Sequence, residues 1–293
     1  MAMTETAARG RAEYAFDVED VEYLRHGDKP LLARVFKPRG PGPFPLMIDL
    51  HGGAWCNGDR LNDTPINEGL AKAGIAVAAL DFRVPPEAGY PASPQDINYA
   101  IRWFKSRATQ FNTRGGKVGA IGISSGGHLG MLVGMRPEDP RYNAIKLDAK
   151  TDARIACMVL CWPVIDPLGR YNTAKAAKAS GGSYPPEFDN VLPLHDKYWG
   201  SEAAMAEGNP VMLLERGEKA ELPPALYLQG TADQVHPRPQ LDRFVAQYRK
   251  HGGALDLEFY EGEIQGWINR KPGTPNAVAA MNKIVDFVHA KLA

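Results

Sequence analysis

The sequence predicts an α/β fold: a mostly parallel central sheet of about eight strands flanked by helices, with one long insertion. Three observations predict it. Short apolar runs alternate with segments of helical period as far as the C-terminus, the pattern of parallel strands joined by crossover helices. A G-x-S-x-G sequence, Gly122-Ile123-Ser124-Ser125-Gly126, stands between one such run and a helical segment. The pair Gly52-Gly53 follows another run after a single histidine.

Residues 17–23 and 31–37 read as two strands joined across the hairpin-like turn His26-Gly27-Asp28. Residues 45–50 and 75–80 are buried strands with a helix over 65–72 between them, one β-α-β unit. A helix starts at Ser93-Pro94-Gln95-Asp96, where Ser93 can cap, proline suits the first helical position and Asp96 favours the dipole. Ile97, Ile101, Phe104 and Ala108 give that helix one apolar stripe, and it should end near Phe111. Residues 118–123 form a short buried strand and 125–135 the helix after it. Three further strands fall at 154–160, 225–228 and 255–260, with helices at 237–250 and 274–292.

The exception is 163–210, a stretch of short helical pieces, Gly and Pro without a strand signal. It contains Tyr171, Tyr184, Phe188, Tyr198 and Trp199. So long a stretch in a compact domain points to function, and we read it as a cap over a site. There is no repeat or polar linker, so residues 1–293 read as one domain with the cap inserted.

Lys plus Arg equal Asp plus Glu at 34 each, which excludes a global field for nucleic acid or an anionic membrane. No apolar run approaches the ~18 residues of a membrane span, and the N-terminal residues lack the layout of a signal peptide. A cytoplasmic location follows as the expectation. Cys56, Cys157 and Cys161 have neither C-x-x-C nor zinc spacing and read as reduced thiols. No metal and no cofactor are expected. The expected partner is a small-molecule substrate, with self-association into a homo-oligomer left open.

The chemistry rests on three elements. In the G-x-S-x-G turn, small residues two before and two after the serine let a tight turn push its hydroxyl out, and strand-turn-helix is the context that such a nucleophile needs. His51-Gly52-Gly53-Ala54-Trp55 follows a strand directly. Its backbone N–H groups can face a developing oxyanion, so Gly53, Ala54 and the N–H of Ser125 are the candidate donors. Gly230-Thr231-Ala232-Asp233 ends the strand 225–228, and Asp233 follows Ser124 in the order in which an acid follows the nucleophile. A glycine turn and a surface aspartate are the plain alternatives.

These residues resemble the esterase and lipase group of α/β-hydrolases that includes hormone-sensitive lipase relatives, small acetyl esterases, feruloyl-esterase-like proteins and kynurenine formamidase. The matching text is HGGAW at 51–55, DFRVPPEAGYPASPQD at 81–96, GISSGGH at 122–128, PVIDP at 163–167 and LQGTAD at 228–233. The resemblance implies an α/β-hydrolase fold and hydrolysis of a small carboxylic ester or related acyl bond by Ser124. It also implies a catalytic histidine after the last strand, commonly as His-Gly-aromatic. Here Gln265-Gly266-Trp267 occupies that place. An amide cannot take a proton from Ser124 and return it, and loss of the base costs up to ~10⁶ in kcat.

Three readings follow, the third of them that Gln265 is an engineered substitution or that the reaction is not hydrolysis. A relocated base could be His236, three residues beyond Asp233. A solvated histidine at a helix start is its equal alternative, and we expect it near Asp233 but short of Ser124. Without a base, the chain would be a small-molecule-binding pseudo-hydrolase, as the gibberellin receptors, which resemble this group, keep the serine and acid but not the histidine. Ser124, Asp233 and Gln265 should converge in either case, and Gln265→His should then raise hydrolysis. His128 should pack or cap within its helix, and His195, His251 and His289 should lie on the surface. Trp55 and Trp267, with Trp162 and the cap aromatics, are candidates for lining an aromatic-accepting pocket.

Overall fold

The computed structural model of the chain describes residues 13–147, 149–181 and 185–293. Tyr184 and the first twelve residues, named above, lie outside them. Eight strands form one sheet: β1 (Phe16–His26), β2 (Lys29–Pro38), β3 (Phe44–Leu50), β4 (Ala76–Leu80), β5 (Thr113–Ile123), β6 (Cys157–Cys161), β7 (Ala225–Gly230) and β8 (Leu255–Tyr260). Their order is β1-β2-β4-β3-β5-β6-β7-β8. The pairings of β2 with β1 and β4 are antiparallel and the rest are parallel.

The helices are α1 (Thr64–Lys72), α2 (Ala92–Ser106), α3 (Ser125–Met135), α4 (Pro167–Ala179), α5 (Phe188–Trp199), α6 (Glu202–Glu207), α7 (Pro210–Glu215), α8 (Arg238–Lys250), α9 (Trp267–Arg270) and α10 (Pro275–Leu292). The sheet is covered on both faces, which is why its central strands are apolar throughout. In β4 the alternation is visible residue by residue. Ala76, Ala78 and Leu80 belong to the core layer that also holds apolar residues of α2, α3 and α8, while Val77 and Ala79 belong to the layer on the other face with those of α1 and α10.

Local departures from the sequence reading have simple causes. Ser93 does not cap α2; it lies inside the helix, and its hydroxyl donates to the Arg83 carbonyl at 2.6 Å. Asp96 is buried and pairs with the Arg83 guanidinium at 2.8 Å and with His26 at 2.9 Å, a tertiary role that outranks the dipole. The helix ends at Ser106, and the chain reaches β5 through turns around Phe111. Residues 154–156 stay outside β6, which begins at Cys157. The 163–210 stretch has no strand among its described residues and folds as α4, α5, α6 and the first residue of α7.

Candidate active site

Parallel strands leave the sheet from a common edge, so the loops after β3, β5, β7 and β8 meet there. Ser124 sits on the turn between β5 and α3 with φ 52° and ψ −115°, a strained conformation that a non-glycine residue adopts only when its surroundings enforce it. Enforcement is by contact. A Cβ on Gly126 would stand 2.0 Å from the Leu50 carbonyl, and one on Gly122 would stand 2.6 Å from the backbone of Gly126 and Gly127. The Ser124 amide donates to Cys161 of β6 at 3.0 Å, and its carbonyl accepts from Val164 at 3.0 Å.

The loop after β7 brings a histidine to that serine. Ser124 Oγ lies 3.0 Å from His236 Nε2, and His236 Nδ1 lies 2.8 Å from Asp233 Oδ2. A carboxylate only accepts, so Nδ1 carries the hydrogen and Nε2 is free to accept from the serine hydroxyl. Asp233 also accepts from the amides of Val235 and His236 through Oδ1, at 2.9 and 3.2 Å, and from Gln229 Nε2 at 3.1 Å. Burial raises the Asp233 pKa, but the charge and hydrogen bond of His236 and the two amides outweigh it and hold the carboxyl below its ordinary value. The expectation that His236 falls short of Ser124, or is solvated, is therefore corrected: its side chain is 2% exposed and bonds to both partners.

Gly53, Ala54 and Ser124 line one open cavity of about 440 Å³, and Gln265 lines it too. A Cβ on Gly53, at φ +113°, would fall 2.0 Å from the Asn57 carbonyl, so this loop excludes a side chain there. Ser125, at the first turn of α3, is buried. Gln265 shares the cavity with Ser124, while the bonds to Ser124 Oγ and Asp233 described above come from His236. The imidazole that reaches Ser124 thus comes from the loop after β7, next to the loop that carries Gln265.

Both tryptophans named as pocket residues lie elsewhere. Trp55, with φ 62°, is turned inward and buried; its Nε1 donates to His128 Nδ1 at 3.1 Å, and its ring stacks on Tyr198. Trp267 is buried against Trp162 and Tyr260. Trp162 is the tryptophan on the cavity wall. His128 does pack: it is enclosed between Trp55 and the Gly208 carbonyl, and burial lowers its pKa to about 4. His195 is not on the surface but fully buried, where it accepts from Arg170 at 2.8 Å. His251 and His289 are exposed. Cys56 is buried, its thiol donates to the Leu194 carbonyl at 3.4 Å, and burial raises its pKa, which makes it a poor nucleophile.

Among the residues of the cavity region that sequence reasoning missed, four form two hydrogen-bonded pairs. Asp63 and Asn269 line the cavity, and Asn269 Nδ2 donates to Asp63 Oδ1 at 2.6 Å. Behind them Asn67 donates to Asp49 at 2.7 Å. Burial, and for Asp63 the neighbouring Asp49 charge, raises both carboxyls, so the pair retains a proton. Asp63 follows its loop by 10 residues and Asn269 comes from the far end of the chain, so no spacing announces them. Among the described residues no group of three or more His, Cys, Asp or Glu is placed to hold a metal ion, and no helix is long and apolar enough to cross a membrane.

A mostly parallel eight-stranded sheet with helices on both faces, and a serine on the strained turn after β5, is the architecture of an α/β-hydrolase. Solved structures agree on the fold: a hyperthermophilic esterase from Pyrobaculum calidifontis (TM-score 0.75, 21% identity, covering 96% of this chain and 88% of that one) and the thermophilic esterase Est2 from Thermogutta terrifontis (TM-score 0.72, 24% identity, 92% of each). The chain belongs to the BD-FAE family, whose model matches residues 35–247. Among curated relatives it is similar to the carboxylic ester hydrolase LipN of Mycobacterium tuberculosis, 35% identical over 89% of this chain and 67% of the relative. Esterase LipC of the same organism is 26% identical over 71% of this chain and 49% of the relative. The chain spans about half the length of LipC and of the probable carboxylic ester hydrolase LipM, also of Mycobacterium tuberculosis, of which it covers 46%.

Proposed function

We propose that the protein hydrolyses small carboxylic esters through Ser124 as nucleophile, His236 as general base and acid, and Asp233 as the carboxylate that orients the imidazole. The observation that carries this reading is the hydrogen-bond chain from Ser124 Oγ to His236 Nε2 to Asp233, at 3.0 and 2.8 Å. His236 takes the serine proton as Oγ attacks the acyl carbon. Asp233 stabilises the imidazolium, and the N–H groups of Gly53, Ala54 and Ser125 receive the oxyanion. His236 then protonates the leaving alkoxide, and the acyl-serine is hydrolysed by a water that gives its proton to the same nitrogen. The similarity to ester hydrolases such as LipN adds support.

The 163–210 stretch serves as the cap. Arg170, Val191 and Leu194 contribute its side of the cavity wall, so α4 and α5 select which esters enter. A pseudo-hydrolase role loses its ground, because it rested on an absent base. The test is covalent: a small fluorophosphonate should label Ser124 and stop turnover of p-nitrophenyl acetate, and Ser124→Ala should abolish both. Labelling that persists at another residue, or turnover unaffected by Ser124→Ala, defeats the reading.

A further inference from the structure

Arg170, on α4, is 3% exposed and lines the cavity that holds Ser124. Its hydrogen-bond and ring partners are uncharged, although the Asp233 carboxylate lies near enough to favour its charge. Nε and Nη2 both donate to His195 Nε2, at 3.2 and 2.8 Å, and the guanidinium lies over the Trp55 ring, 5.6 Å from its centroid. Burial holds the His195 pKa well below the ordinary value, so that ring is uncharged. The nearby carboxylates are committed elsewhere: Asp166 to Arg243 at 2.7 Å and Asn209 at 2.7 Å, and Asp233 to His236.

Other buried arginines of this chain are provided for. Arg136, 6% exposed, pairs with Glu207 at 2.7 Å and with Glu218. Arg102, also 6% exposed, donates to the Asn98 amide oxygen at 3.0 Å and to the Ile145 carbonyl at 2.8 Å. Burying a guanidinium with no acceptor beyond one imidazole nitrogen is costly, and the cost falls when an anion reaches it. Burial lowers the Arg170 pKa to about 9, which still leaves it charged at neutral pH.

The rest of the cavity agrees in sign. Arg270, exposed, lines the same cavity. Asp63 is the carboxyl among the lining residues, and burial and the neighbouring Asp49 raise its pKa well above the ordinary value. A substrate in this cavity therefore meets two guanidinia and one carboxyl whose charged form burial disfavours.

We propose that Arg170 is an anion-binding residue of the cavity and that the esters this protein hydrolyses carry a carboxylate of their own. The proposal rests on the reading of the cavity as an ester-hydrolase site. A carboxylate is the fitting anion, because its two oxygens match the planar guanidinium fork and its single charge matches the one buried cation. The carboxylate belongs to a half-ester of a dicarboxylic acid or to an acylated hydroxy acid.

Two pairs of esters that differ by one charge test this. Monomethyl glutarate is compared with dimethyl glutarate, with the anion on the acyl side, and 4-acetoxybenzoate with methyl 4-acetoxybenzoate, with the anion on the leaving group. The unaltered protein should favour the anionic member of at least one pair in kcat/KM. That ratio should fall by roughly 10- to 100-fold in Arg170→Met, as expected for a lost charge-assisted hydrogen bond, and by less in Arg170→Lys. A merely structural arginine would lower both members alike and leave the ratio in place. Preference for the neutral member in both pairs overturns the proposal, and so does a ratio that Arg170→Met does not move.

If Arg170→Met does not fold, binding to the unaltered protein decides. Glutarate or benzoate should raise the melting temperature and slow fluorophosphonate labelling of Ser124, while glutaramide and benzamide should do neither. No difference between acid and amide overturns the proposal. Failure of the hydrolase reading looks different: none of the four esters is turned over and Ser124 is not labelled. The melting shift alone then judges the anion site.

Discussion

The loops that follow β7 and β8 leave neighbouring parallel strands and are stitched together. Ala232 N donates to the Glu263 carbonyl at 3.0 Å, and Gly262 N to Thr231 Oγ1 at 2.8 Å. Both open on the cavity of Ser124, through Val235 and Gln265. The side chain bonded to Ser124 Oγ comes from the first of them. In it, one carboxylate accepts from the amides two and three residues ahead and from the imidazole of the third. The second leads through Gly266 to Asn269 of α9, which donates to Asp63, a carboxyl whose pKa burial raises. On the proposed reading, the base comes from the loop that brings an imidazole to Ser124 Oγ, and chain order alone does not say which loop that is.

The sharpest way to break this comparison is His236→Ala. If the β7 loop supplies the base, kcat for p-nitrophenyl acetate should fall by about 10⁴–10⁶, close to the loss in Ser124→Ala. Survival of more than a tenth of the activity in the folded variant would return the search to the β8 loop. Asp233→Asn comes next. It removes the acceptor that fixes Nδ1–H and lets the imidazole turn its hydrogen toward the serine, so kcat should drop by roughly 10²–10⁴. An effect on KM alone would mean that Asp233 only shapes the loop.

Much of the fold was legible in the sequence because two-period and 3.6-period patterns survive burial. All eight strands overlap the apolar runs that predict them, although β5 begins earlier and β6 later than expected, and the turn at Ser124 stands where the glycines put it. What escaped was tertiary. His195 looks like a surface residue because its partner, Arg170, lies 25 positions away. Trp55 follows a glycine pair as a pocket residue would, but the positive φ of Ala54 and Trp55 turns its ring into the interior. The His236 assignment was nearer to hand: an aspartate in a turn accepts from the N–H groups two and three residues on, and that geometry folds the third side chain back onto its carboxylate. Asp-x-x-His after a strand was therefore the signal, but a family expectation placed the histidine elsewhere.

A smaller effect probes the wall behind the β8 loop. Burial raises the Asp49 pKa to about 7 and raises Asp63 as well. The folded state thus holds these protons more tightly than the unfolded chain, whose carboxyls titrate near ~4. The sign follows from linkage: the contribution of such a group is fully present below ~4 and is lost as pH rises toward about 7. Asp49→Asn stays neutral throughout, so its melting temperature relative to the unaltered protein should climb between pH 5 and 8, by ~2 °C or more at the upper end. A difference that does not vary with pH would show that the pair shares no proton.

The smallest effect expected is the most discriminating between the loops. While Gln265 stands for a missing histidine, Gln265→His should restore hydrolysis; with His236 bonded to both Ser124 and Asp233, the same change should add nothing. Ser124 Oγ has one hydroxyl hydrogen to donate, and His236 Nε2 already accepts it at 3.0 Å. An imidazole at 265 would also lack the oriented carboxylate, because both oxygens of Asp233 are engaged within its own loop. Without that partner its tautomer is unfixed, and an unoriented base contributes little. We expect kcat for p-nitrophenyl acetate in Gln265→His to stay within about threefold of the unaltered protein, with any change appearing in KM because the residue lines the cavity. The informative background is His236→Ala, where Gln265→His should recover less than about a hundredth of the lost rate. A larger recovery, dependent on Ser124, would mean that the β8 loop retains a working base position and that the two loops are interchangeable.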